Sequence, residues 1–186
     1  MKSGAARTLL LSLLAAPTVA SAAPCQAEDF ETMVSGQNEC LLMRRYGSVA
    51  PVTMLVWLHG NVSTGGPANS HFRVAQKAAA DLAADHVLSV ALVRPGYPDG
   101  TGAYSSGSDN GRIDNWTQAV AAEIGTVIAR LRTRFRPQTV ILIGHSGGAA
   151  IAASLLGMKP DLAGAAILIL ISNERQPSSS GEPRGA

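Results

Sequence analysis

The sequence lacks the short motifs by which many proteins hold a metal ion or a nucleotide. It contains no H-E-x-x-H, no C-x-x-C and no G-x-x-x-x-G-K pattern, and these patterns are typical of zinc, thiol and phosphate sites. The glycine-rich segment 63–67 is not a phosphate-binding loop, because no lysine follows it. We therefore predict that the protein uses no metal ion and no cofactor.

The sequence also has little net charge. Its 15 lysines and arginines exceed its 13 aspartates and glutamates by two. Lys2 and Arg7 are the only charged residues among the first 22, so the remaining 164 residues carry 13 charges of each sign. A nucleic-acid partner usually requires a basic surface, and none is predicted. A chain of 164 residues is long enough for one domain with one hydrophobic core.

The apolar run near the N-terminus, residues 9–16, is too short to span a bilayer. It follows the basic residues Lys2 and Arg7 and precedes Ala20-Ser21-Ala22, which matches an A-x-A cleavage site. We predict a signal peptide over residues 1–22, cleaved after Ala22. The protein would then be exported, to the periplasm or outside the cell, and would have no membrane association once the peptide is removed. An uncleaved N-terminal anchor is the alternative.

Only two cysteines are present, Cys25 and Cys40, and they lie close together in the sequence. An exported chain meets an oxidising compartment, which favours a local disulfide between them. Two free thiols are the alternative, because sequence alone does not show whether the two Cβ atoms face each other.

Apolar segments and helical patterns alternate from residue 52 onward. Two short strands, 30–35 and 39–46, come first. Four further strands are predicted at 52–58, 87–93, 139–143 and 165–171. Three helices separate them, at 71–84, at 115–135 and over a segment that ends near 157. Ser70 and Asp114 are the predicted N-caps of the first two helices, and Trp116 is one of the apolar positions of the second. This order favours an α/β domain with a mostly parallel sheet and helices on both faces. We predict the domain over 23–171 and a disordered, polar tail over 172–186.

The most informative motif is Gly144-His145-Ser146-Gly147-Gly148, which stands between a predicted strand and a predicted helix. This context is typical of a nucleophile elbow, whose sharp turn exposes the serine. Another predicted strand ends at His59-Gly60-Asn61, and the carboxyl ends of parallel strands form the sites of open α/β sheets. Acyl transfer needs a nucleophile and N–H donors for the oxyanion. We therefore predict Ser146 as the nucleophile, with the backbone N–H groups of Asn61 and Gly147 as the oxyanion hole.

These motifs resemble the N-terminal part of the α/β-hydrolase superfamily, in its exported bacterial esterase or serine-peptidase-like branch. The resemblance rests on Leu55-Val56-Trp57-Leu58-His59-Gly60-Asn61, on Arg94-Pro95-Gly96-Tyr97 and on the segment 143–148, in that order. It implies a truncated α/β-hydrolase fold and hydrolysis of a small ester, amide or peptide substrate. It also implies the roles given above to Ser146, Asn61 and Gly147. The supporting motif residues are His59, Gly60, Gly144, His145 and Gly148.

One part of the family pattern is missing, because no histidine follows Ser146. The family places its catalytic triad in the order serine, acid, histidine. All four histidines precede the serine: His59 and His145 belong to the two motifs, and we expect His71 and His86 on the surface. A serine hydroxyl without a base is a poor nucleophile, so we predict that this chain is catalytically impaired.

The pattern of strands and helices changes abruptly to a polar tail after residue 171. Our hypothesis is that the chain is the N-terminal part of a longer hydrolase. Among the acids after the elbow, Asp161 is expected in a loop and Glu182 in the tail. Glu174 follows a strand, as a triad acid could, and a solvated charge of the tail is the alternative for it. The predicted strand 165–171 would be an exposed apolar edge, which favours non-specific association.

Two other functions remain open at this point. The chain could be a non-catalytic, exported α/β module that binds a small ligand, with the loop 99–111 and its Tyr104 and Ser105 lining the pocket or serving only as a flexible linker. It could instead be a non-functional gene fragment. Reaction of Ser146 with a serine-directed probe would separate the enzyme from both.

Overall fold

The computed structural model describes residues 25–113 and 116–170. The predicted signal peptide (1–22) and polar tail (172–186) lie outside these ranges, and so do Glu174 and Glu182. No helix within the described ranges is long and apolar enough to cross a membrane.

The described residues form one six-stranded sheet and three α-helices. The strands are β1 (Met33–Ser35), β2 (Cys40–Gly47), β3 (Thr53–Leu58), β4 (Val87–Leu92), β5 (Thr139–His145) and β6 (Ala165–Ile169). The helices are α1 (Ser70–Asp81), α2 (Gln118–Phe135) and α3 (Gly147–Met158). The strand order is β1-β2-β4-β3-β5-β6. The neighbouring strands β4, β3, β5 and β6 are parallel, and β2 pairs antiparallel with both β1 and β4. The prediction of a mostly parallel sheet is therefore confirmed.

Strand β3 shows how the sheet separates its two faces. Met54, Val56 and Leu58 join the main core cluster, together with buried residues of α2 and α3. Leu55 and Trp57 belong to a smaller cluster that includes Ala78 of α1. Successive side chains of a strand point to opposite faces, so α1 lies on one face and the other two helices on the other. Helices on both faces were predicted, and this prediction is confirmed.

The starts of two helices differ from the predictions. Helix α1 begins at Ser70, so its N-cap is Asn69 rather than Ser70. Helix α2 begins at Gln118, because the Thr117 side chain accepts a hydrogen bond from the Val120 N–H and caps the helix there. The predicted cap Asp114 lies outside the described residues. Trp116 precedes the helix and is 40% exposed, so its predicted place among the apolar helical positions is wrong.

A disulfide joins Cys25 to Cys40 at the start of β2. The Cys25 N–H also donates to the Ser35 hydroxyl at 3.2 Å. A few residues along, the carboxylate of Glu28 forms an ion pair with Arg130 of α2. The N-terminal segment is thereby attached both to the sheet and to a helix.

The loop 99–111 is fastened to the sheet and is not a flexible linker. Asp99 is buried and pairs with Arg44 of β2. The buried Ser105 hydroxyl accepts from the Leu42 N–H at 2.9 Å and donates to the Val93 carbonyl at 2.8 Å. Because its hydroxyl links β2 to the end of β4, Ser105 is not available to line a ligand pocket, as the binding-module hypothesis allowed.

Strand β6 lies at the edge of the sheet in the described part of the chain. It pairs with β5, and Ile167, Leu168 and Ile169 are each about half exposed. Exposed apolar strand edges are templates for pairing with other chains. Association through this edge stays a prediction.

Glu123 connects helix α2 to the turn between β1 and β2. Its buried carboxylate accepts from the N–H groups of Gln37 at 2.6 Å and Asn38 at 3.0 Å, and from the Asn38 side chain at 2.9 Å. Hydrogen bonds to an ionised acceptor are stronger than those between neutral groups. This carboxylate therefore fixes the position of the first hairpin against the helix.

We expect Glu123→Ala to lower the free energy of unfolding by about 3 kcal/mol, because it removes several charge-assisted hydrogen bonds at once. Glu123→Gln keeps one accepting oxygen and should lose about half as much. Urea denaturation measures both. Asp81→Ala is the control, since it removes a helical carboxylate whose exposed pair with Lys77 contributes under about 1 kcal/mol. An equal loss in Asp81→Ala and Glu123→Ala would contradict this role.

Candidate active site

Ser146 occupies the sharp turn between β5 and α3. Its backbone has φ 51° and ψ −119°, a conformation that residues with a side chain rarely adopt. The Ser146 N–H donates to the Ile169 carbonyl of β6 at 2.8 Å. Strained backbone of this kind persists only where the surrounding structure holds it, and it is found preferentially at functional sites. Ser146 thus has the strand-turn-helix setting that the motif predicted.

Three glycines allow the backbones around Ser146 to approach one another. A Cβ atom at Gly148 would lie 2.2 Å from the Leu58 carbonyl oxygen, and one at Gly144 would lie 2.4 Å from the Gly148 oxygen. A Cβ at Gly60 would lie 2.9 Å from the Ser146 Cβ. A side chain at any of these positions would push β3, β5 and α3 apart. The predicted motif glycines are therefore required by packing at the site.

His59 joins the ends of β3 and β4. Its Nε2 accepts from the Arg94 N–H at 3.0 Å, so Nδ1 carries the proton and donates to the Gly60 carbonyl at 2.7 Å. Burial, together with the nearby His71 and Arg94, holds the pKa of His59 well below its usual value. A neutral imidazole with both nitrogens engaged fixes the loop, so His59, which we predicted as a supporting motif residue, holds the site in position.

Arg94 is a site residue that the sequence reasoning missed. Its guanidinium is fully buried, donating to the His59 carbonyl at 3.2 Å and to the Asn61 side-chain oxygen at 3.0 Å. Burial lowers the pKa of Arg94, although a guanidinium stays charged in proteins. The sequence did contain one signal for this residue. Arg94 directly follows a mostly apolar strand, where a charged side chain would be buried and would need partners.

Asn61 and Gly147 lie side by side. A Cβ at Gly147 would stand 2.9 Å from the Asn61 side-chain oxygen and 3.0 Å from Arg94 Nη1. The Arg94 guanidinium therefore holds the Asn61 side chain against the first residue of α3. The two residues predicted to form the oxyanion hole are brought together beside Ser146.

A small cavity opens beside the serine. It measures about 160 Å³ and is lined by Trp116, Ser146, Gly147, Ala150 and Leu170. Trp116 reaches it because its indole packs against the elbow, with Cε3 3.2 Å from the Cβ position of Gly147. The sequence reasoning assigned no role to Trp116, Ala150 or Leu170 at this site.

The expectation that His71 lies on the surface is wrong. Its ring packs 5.3 Å from that of His59, measured between centroids, and its Nε2 donates to the Leu92 carbonyl at 2.9 Å. Burial lowers the pKa of His71 to about 4. His86, by contrast, is exposed, as expected. The helical pattern around His71 did not reveal that this residue faces the end of β4.

Within the described residues, no hydrogen bond joins the Ser146 hydroxyl to a histidine or a carboxylate. His145 is exposed and its Nδ1 lies 3.0 Å from the Cβ position of Gly60, where it borders a second, mostly apolar cavity of about 300 Å³. Asp161 is exposed in a short 3-10 helix, Pro160–Leu162. The described part of the chain also has no group of acidic, histidine or cysteine side chains that could hold a metal ion.

Comparison with known proteins decides the family. The sequence model of the Alpha/beta hydrolase family matches residues 55–182, more than half of the chain. The chain belongs to this family. The match begins in β3 and includes both the His59-Gly60-Asn61 loop and the Ser146 elbow. A search of curated proteins found no match in sequence.

Several solved structures share this fold over part of their length. An epoxide hydrolase from Vigna radiata is 18% identical to this hydrolase-family chain, with a TM-score of 0.53. The matched region covers 75% of the present chain and 38% of the epoxide hydrolase. An esterase from Exiguobacterium antarcticum is 23% identical with a TM-score of 0.51, and the matched region covers 75% of the present chain and 44% of the esterase. An epoxide hydrolase from Mycobacterium thermoresistibile is 20% identical at a TM-score of 0.51, with shares of 73% and 37%. The chain spans less than half the length of these proteins.

Replacement of the strained serine by glycine should stabilise the protein. Glycine adopts positive φ without steric cost, so Ser146→Gly relieves strain of about 1–3 kcal/mol and loses somewhat less through backbone entropy. We expect the Tm to rise by a few degrees in thermal denaturation. The control is Ser154→Gly, in the middle of α3, which should lower stability by roughly 1 kcal/mol. A lower Tm for Ser146→Gly would show that the turn is not strained.

The buried histidine pair should make stability depend on pH. The folded-state pKa of His71 is about 4 and that of His59 is also well below its usual value, so the unfolded chain binds more protons below pH 6.5. Stability from these residues is complete above pH 6.5 and falls as the pH drops towards 4, at about 1 kcal/mol per pH unit for each histidine. Urea denaturation at several pH values measures this slope.

His71→Asn should reduce the slope relative to the parent between pH 6.5 and 4, because one of the two titrating groups is gone. The comparison cancels contributions from carboxylates, which are the same in both proteins. His86→Asn, which replaces an exposed histidine, is the control for the substitution itself. An unchanged slope in His71→Asn would mean that this imidazole is not kept neutral by burial.

Proposed function

We propose that this chain carries the nucleophile and the oxyanion hole of a serine hydrolase for ester or amide bonds. The observation that supports this most strongly is Ser146 at positive φ beside the contact between Asn61 and Gly147. In the reaction, the Ser146 oxygen would attack the carbonyl carbon and the hydroxyl proton would pass to a base. The carbonyl oxygen would take up negative charge between the N–H groups of Asn61 and Gly147.

Two features favour negative charge at this position. The first turn of α3 begins at Gly147, and the N-terminus of a helix carries partial positive charge. The buried guanidinium of Arg94 lies behind the Asn61 side chain. A fixed positive charge away from bulk water stabilises an oxyanion more than an exposed one does.

We further propose that these 186 residues are catalytically impaired by themselves. None of the four histidines in the sequence follows Ser146, and His59 and His71 use ring nitrogens in contacts that hold the fold. Loss of a triad member typically lowers the rate by several orders of magnitude, while the oxyanion hole retains some catalysis.

The disulfide between Cys25 and Cys40 supports our proposal that the protein is exported, since such bonds persist in oxidising compartments.

A fluorophosphonate probe tests the nucleophile. We expect slow labelling at Ser146, measured by mass spectrometry of the intact protein and its peptides, and loss of labelling in Ser146→Ala. Added imidazole should accelerate the labelling in proportion to its concentration, because it supplies the absent base from solution. Ser154→Ala, which removes a serine elsewhere on α3, should label like the parent.

Failure of the parent to label, even with imidazole, would refute the proposed nucleophile. The chain would then be better described as a binding module or as inactive. Labelling that does not respond to imidazole would instead mean that a base already serves Ser146, and would refute the impairment alone.

A further inference from the structure

The cavity beside Ser146 is lined mainly by apolar surface. Its walls besides the serine are the indole of Trp116, the methyl group of Ala150, the Leu170 side chain and Gly147. Among the described residues, no charged side chain lines it. A site of this composition favours an apolar group.

The fold fixes three of these walls relative to the nucleophile. The Ala150 N–H donates to the Ser146 carbonyl at 3.2 Å, so Ala150 lies one helical turn from the serine. The Trp116 indole contacts the elbow at Gly147. Leu170 follows Ile169, whose carbonyl accepts the Ser146 N–H at 2.8 Å. The cavity therefore adjoins the atom that would attack.

The size of the cavity limits what it can hold. Its volume is about 160 Å³, close to that of a protein cavity of about 150 Å³ that takes up benzene. Unlike that enclosed cavity, this one opens to solvent, so it buries only on the order of four carbon atoms of a ligand. A long alkyl chain would have to leave the cavity for solvent.

We propose that this cavity, the Trp116 pocket, binds the apolar group attached to the scissile carbonyl and selects short acyl groups or a single ring. The proposal rests on the proposed function, in which Ser146 is the nucleophile. Ala150 is the residue that sets the depth of the pocket, because a larger side chain at this position would occupy the space of the acyl group.

Alkylboronic acids with methyl, butyl and octyl groups test the pocket without requiring turnover. The Ser146 oxygen forms a bond to boron, the hydroxyl proton goes to solvent, and the boron becomes a tetrahedral anion that resembles the oxyanion intermediate. Boron NMR detects this adduct, and calorimetry measures affinity. Each buried methylene should tighten binding roughly fourfold. We expect butyl to bind at least about tenfold tighter than methyl, and octyl to bind no tighter than butyl.

Two matched variants assign the effect to the pocket. Ala150→Leu should remove the preference for butyl over methyl while methylboronic acid still forms its adduct. Ala153→Leu places the same side chain at an exposed position of α3 and should behave like the parent. Circular dichroism and the Tm of each variant show whether it is folded before affinities are compared.

The same series on Ser146→Ala, followed by ligand-observed NMR, separates the two proposals. An adduct that forms equally well with all three acids, or best with octyl, would overturn the pocket and leave the nucleophile standing. A preference for butyl that persists in Ser146→Ala and disappears in Ala150→Leu supports the pocket even if boron never bonds to the serine. No preference in the parent or in Ser146→Ala overturns it.

Discussion

The structure around the site depends on how closely three backbone segments approach one another. Gly148 lets the start of α3 lie against the end of β3, and Gly60 lets the loop after β3 pass next to Ser146. Side chains at these positions would separate the segments that meet at Ser146. The glycines contribute no chemistry of their own, but they set the distance between the nucleophile and its neighbours. Packing at this point precedes any question of mechanism.

A buried positive charge then determines the polarity of the site. Arg94 holds Asn61, and His59 remains neutral beside it. A protonated, positively charged imidazole in this small volume would be repelled by the guanidinium, so the imidazole serves best as a neutral link between backbone groups. This arrangement of dipoles and one cation is what the proposed oxyanion hole would require.

The sequence predicted those features that depend on local pattern, and missed those that depend on distant contacts. The Ser146 elbow and the order of strands and helices follow from short-range periodicity and glycine spacing, and they were predictable. Arg94, Glu123 and His71 have their roles only because the loop after β3, the turn after β1 and the end of β4, respectively, lie against them in space. The start of α2 was misplaced because an apolar residue, Trp116, extended the helical pattern past the true cap. That same residue lines the cavity at the nucleophile.

The hydrogen bond from the Ser146 N–H to Ile169 has a mechanical consequence. It joins the turn that carries the proposed nucleophile to strand β6, so the position of Ser146 depends on the position of that strand. Edge strands are the parts of a sheet that fray and that other chains capture most easily. The position of Ser146 is therefore defined no more precisely than that of β6. Any segment that pairs with this strand, from within the protein or from another chain, would change or stabilise the position of Ser146.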